Sequence, residues 1–163
     1  AFLTAVFPVW PVLMVAFGIG VRRAAGGRRA LRTTGILLVV HGIVGLLWLA
    51  FPMTSRSDIS SGGPAAANDV GHLVMTAVTI VLILSEIGIS ALAFGWRFRL
   101  YAAAGIVIVV VFGALTAVQA SALAAGGLTP WMGLFERISI APWLLWMTVL
   151  HFTLMTAIHF GSS

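Results

Sequence analysis

Five stretches of this chain are long, apolar and almost free of charge, and nothing else in it constrains the fold as strongly. They cover residues 2–21, 34–53, 69–95, 100–125 and 142–160. The hydrocarbon core of a bilayer is about 30 Å thick, so a helix rising about 1.5 Å per residue crosses it in about 20 residues. Each stretch has about that length or more. Transmembrane strands would show alternating segments of about ten residues, and these runs do not alternate. The expected fold is all-α: a polytopic transmembrane helical bundle of five spans, in a single transmembrane domain over residues 1–163. Only 8% of residues are charged, against about 25% in a soluble domain, which excludes a soluble monomer and intrinsic disorder. The absence of Cys excludes a disulfide scaffold, Cys-built zinc sites and iron–sulfur clusters.

The loops orient the bundle. All nine basic residues are Arg, and against four acids they leave a formal charge of +5. They sit between apolar runs, so they read as topology determinants facing anionic lipid headgroups and not as a nucleic-acid surface. The first loop holds Arg22, Arg23, Arg28, Arg29 and Arg32, and the third holds Arg97 and Arg99. The second holds only Arg56 and the fourth only Arg137. The positive-inside rule then makes the first and third loops cytoplasmic, the N-terminus of this chain external and its C-terminus cytoplasmic. The chain enters an apolar run at once and has no initiator Met, which points to an upstream segment such as another helix. A signal peptide does not fit, because there is no basic leader before a long apolar core.

Smaller features add detail. The outer loop 54–68 is small, polar and carries Gly and Pro, so mobility is expected there. Trp131, Leu134, Phe135 and Ile138 recur at helical spacing behind Thr129 and Pro130. This predicts a short amphipathic helix over about 130–140, lying in the outer interface and turning at Pro142 into the last span. Trp48, Trp131 and Trp143 outside, and Trp96 and Tyr101 inside, read as aromatic belts. Gly113, Ala117 and Ser121 form a small-xxx-small stripe on the fourth run, suited to close helix packing within the chain.

Several stretches together resemble a known family. They are AFGIGVRRAAGGRRALRTTGILL, FPMTSR, NDVGHLVMTAVTIVLILSEIGISALAFG, RFRLY, FGALT and PWMGLFERISI. They resemble the DUF998 family of bacterial integral membrane proteins, a domain of unknown function, and the likeness covers most of the chain. Its most specific pieces are FPMTSR, the Asp69–His72 pair and PWMGLFERI. The resemblance implies about six helices, one of them upstream of Ala1, and a location in the bacterial inner membrane. It implies no reaction.

Ionisable residues inside a membrane are costly, so they nominate sites. His41, Glu86 and His151 lie seven, nine and nine residues from the cytoplasmic ends of their runs, about 10–14 Å deep. Facing one another, they would form a buried cluster able to relay protons, bind a divalent metal, or hold haem or a chlorin through His. The simplest alternative is that each bonds a neighbouring helix as structural glue. No spacing such as HExxH is present, so no metal site is assigned. His151 and His159 share a face but stand about 12 Å apart along a helix, too far for one metal. A second group gathers at the outer level: Arg56, Asp69, His72, Gln119, Glu136 and Arg137. It could take a lipid headgroup or small polar ligand, with Arg56 or Arg137 on a phosphate or carboxylate. The alternative is a set of ion pairs that fixes the loops.

There is no Walker loop, no GxGxxG after a strand and no GxSxG elbow. The leading expectation is a non-catalytic inner-membrane protein that binds lipid or a small ligand, or serves as an accessory subunit of a membrane assembly, with no cofactor required. The alternatives are a haem- or chlorin-binding redox or pigment subunit through His41 and His151, and a proton-coupled transporter or enzyme centred on Glu86. The partners expected are the lipid bilayer and other membrane subunits, with no nucleic acid.

Overall fold

The structure, a computed structural model, describes residues 8–51, 67–124 and 127–161. Arg56 and nearly all of the expected outer loop lie outside these residues; the loop's last two, Ala67 and Asn68, already belong to a helix. Among the described residues the regular structure is helical throughout, without strands. The helices are α1 (Val9–Ala24), α2 (Arg29–Leu47), α3 (Ala67–Ala91), α4 (Trp96–Ala124) and α5 (Met132–Gly161), with a 3-10 turn at Trp48–Ala50 after α2. Four segments are long and apolar enough to cross a membrane: Arg29–Ala50, Asp69–Ala91, Trp96–Ala122 and Met132–Ala157. The protein is a multi-pass membrane protein. The described part of α1 has 16 residues, or about 24 Å, which is short of a full crossing.

The interfacial helix is not a separate element. Residues 132–161 form one helix with Pro142 inside it. Proline removes a single N–H from the ladder, whereas breaking the helix in an apolar medium would strand several backbone groups. The ring lies near Gly105 of α4, where a Cβ would stand in ordinary contact with Pro142 Cβ at 3.6 Å. The second and fourth runs likewise start earlier than their apolar limits, at Arg29 and Trp96, because Arg and aromatic residues at the interface continue a helix readily.

Contacts divide the chain into two compact units, Ala1–Glu86 and Ile87–Ser163, with the boundary inside α3. In the first, α1 and α2 form an antiparallel hairpin. Pro11, Met14, Gly18 and Val21 of α1 are buried at spacings of 3, 4 and 3. They meet Leu31, Thr34, Gly35, Leu38, His41 and Gly42 of α2, buried on the same rhythm, which is the repeat of a helix–helix seam. The backbones touch: a Cβ on Gly18 would lie 2.8 Å from Gly35 O, and one on Gly35 would lie 2.7 Å from both Gly18 O and Arg22 N. Lipid offers apolar side chains no hydrophobic reason to associate, so such close packing supplies the attraction. The turn between the helices needs a left-handed residue, and Gly26 provides it at φ +55°.

The second unit pairs α4 with α5, also antiparallel. Pro142 lies against Gly105, and Phe112 meets Phe135 at 5.9 Å between ring centroids. Trp143, Trp146, Leu150 and Leu154 form the buried stripe of α5. Trp143 is only 2% exposed, so it belongs to the core and not to the outer aromatic belt. Among the described residues of the second unit, the small-xxx-small stripe is not a packing seam. A side chain at Gly113 would meet nothing within 4 Å, and Ala117 and Ser121 are exposed. Large apolar residues are exposed along every helix, Val107, Val118 and Phe152 among them, as expected of faces turned to acyl chains.

Candidate functional site

In the first unit a polar contact lies deep among apolar side chains. His41 lies on the α2 seam between Leu38 and Gly42, all three buried. Glu86 lies on the buried stripe of α3 with Ile83, Ile87 and Ser90. His41 Nδ1 and Glu86 Oε1 are 3.0 Å apart, with side-chain exposures of 7% and 0%. The bond has two neutral forms. Either an imidazolium N–H donates to a carboxylate, or a carboxylic O–H donates to a neutral imidazole. The two forms differ only in which atom carries one proton, so the bond persists as the proton moves across it. A net charge at this depth would be costly, and the pair avoids it in both forms.

His151 is exposed on α5, with its ring edge-on to Phe152 at 5.5 Å between centroids. Among the described residues no three His, Asp or Glu side chains come close enough to hold a metal ion. His41 and Glu86 therefore form a buried pair within the first unit, and His151 is exposed in the second. The sequence marked all three residues, but not the face of α5 on which His151 lies.

The outer residues fall in different units. Asp69 is half-buried in the first turn of α3, where a carboxylate suits the helix dipole. His72 Nδ1 lies 3.1 Å from Phe51 O. A carbonyl only accepts, so Nδ1 carries the proton there. The His72 ring also meets Trp48 edge-on at 4.6 Å between centroids. Gly71 makes this junction possible, since any side chain there would collide with the Phe51 ring. In the second unit, Gln119 Oε1 is buried with no hydrogen-bond partner among the described residues. Glu136 and Arg137 are exposed, and Arg137 Nη1 donates to Gly133 O of its own helix at 2.7 Å. His72 and Arg137 are thus bonded to backbone within their own units.

One buried polar contact was missed from the sequence. Trp146 Nε1 donates to Ser90 Oγ at 3.0 Å, and Ser90 donates to Ile87 O at 2.9 Å. Ser90 and Trp146 have no sequence signal that links them.

No curated protein and no solved structure matches the chain. A family model does, over residues 2–153, and its description is a protein of unknown function. That match spans both units and takes in His41, Glu86, the outer polar residues and the Arg-rich turn. With all-helical architecture and membrane-length helices beside it, the chain belongs to the DUF998 family.

Proposed function

We propose that this protein handles protons in the bacterial inner membrane. It would be a five-span bundle with an external N-terminus and a cytoplasmic C-terminus, in which one proton passes between His41 and Glu86 during a transport or catalytic cycle. The observation that carries this reading is the 3.0 Å bond between two side chains that are almost wholly buried on membrane-length helices. Intramembrane acids paired with histidine are a common basis of proton relays.

Infrared difference spectroscopy of the purified chain across a range of pH tests the proposal. A carboxylic-acid carbonyl signal should appear or vanish in the wild type. It should be lost in Glu86→Gln and altered in His41→Asn. A signal unchanged across the range, or the same in wild type and Glu86→Gln, would mean that the pair only ties helices together.

A further inference from the structure

The hairpin of the first unit also carries a groove of about 710 Å³. Arg22 and Arg23 come from the last turn of α1, and Arg32 from the first turns of α2, so three arginines line one end. The wall is aliphatic, formed mainly by Ile19, Ile36 and Val40. From Arg32 to Val40 is eight residues of α2, so the wall runs about 12 Å along the helix. No acidic side chain among the described residues pairs with these arginines. Among the described residues Arg32 donates to Gly26 O, at 3.3 Å.

We infer that this groove is a binding site for an anionic phospholipid. Three cations at one end match a phosphate diester with net negative charge, and guanidinium groups hold phosphate oxygens in a planar fork. The aliphatic wall matches an acyl chain continuing from that phosphate toward the membrane interior. A soluble phosphate would leave the wall uncovered, and a zwitterionic lipid would leave the charge uncompensated. Basic pockets between spans on the cytoplasmic side are a known mode of anionic-lipid recognition. The site lies at the opposite membrane level from Asp69 and His72, and it does not depend on the His41–Glu86 pair.

The test is native mass spectrometry of the delipidated full chain, titrated in detergent with phosphatidylglycerol or phosphatidylcholine. Saturable retention of phosphatidylglycerol over phosphatidylcholine is expected, weakened about tenfold or more when Arg22, Arg23 and Arg32 are all changed to Gln. Because those arginines also orient the chain, Ile36→Trp is the second variant. It keeps every charge but fills the wall, and it should weaken retention to a similar degree. Equal retention of the two lipids, or unchanged retention in Ile36→Trp, overturns the site. Displacement of the lipid by millimolar inorganic phosphate would overturn the lipid assignment.

Discussion

At the residue scale, the two buried polar contacts differ in kind. In His41–Glu86 each partner compensates the other, so removing one leaves the other buried without it. His41→Leu should therefore destabilise the purified protein by about 3 kcal/mol, on the scale of a broken buried pair. The double variant His41→Leu/Glu86→Leu should recover much of that loss, because both polar groups are gone. Thermal unfolding in detergent measures both, and a double variant no better than the single one would refute this account. The Trp146–Ser90 bond joins neutral groups. Trp146→Phe should cost only about 0.6 kcal/mol from the hydrogen bond, read in a double-mutant cycle with Ser90→Ala. The sequence exposed His41 and Glu86 because a charge-bearing residue in an apolar run is conspicuous. Ser90 and Trp146 are unremarkable in such a run, and only the folded chain pairs them.

At the scale of the helix, glycine position separates packing from composition. Gly35 and Gly113 look alike in the sequence, each within a long apolar run. Yet a Cβ at Gly35 would lie 2.7 Å from backbone atoms of α1, while one at Gly113 would meet nothing within 4 Å. Gly35→Val should push α1 and α2 apart and cost about 1–3 kcal/mol or more, as overpacking does. Gly113→Val should leave stability almost unchanged. Similar melting shifts for the two variants would show that the hairpin seam is misassigned. Pro142 teaches a related lesson. A proline in an apolar run suggests a boundary, but in lipid the helix continues through it, because one missing donor is cheaper than a broken turn.

At the scale of the whole molecule, arginine placement predicts orientation. The chain has no Cys, so single-cysteine variants report without background. Gly27→Cys and Gly95→Cys add side chains where nothing lies within 4 Å. Both should react with an impermeant maleimide only in inside-out vesicles, and Thr129→Cys only in intact cells. Labelling of positions 27 and 95 from opposite sides would refute two crossings between them, and a fully reversed pattern would refute the orientation.

By itself the sequence determined that the chain is helical, that it lies in a membrane, and where most of its long helices run. Those properties follow from local hydropathy and from the length of a bilayer crossing, and they need no knowledge of neighbours. It also marked His41 and Glu86 as residues whose burial needs an explanation. Only the tertiary structure decided that His41 bonds Glu86 while His151 turns to the surface, that Gly18 and Gly35 form the close seam, and that three arginines share a groove with an aliphatic wall. The physical reason is that almost every face of a membrane helix is apolar. Hydropathy therefore carries little information about rotation, and packing between helices sets which face meets protein and which meets lipid.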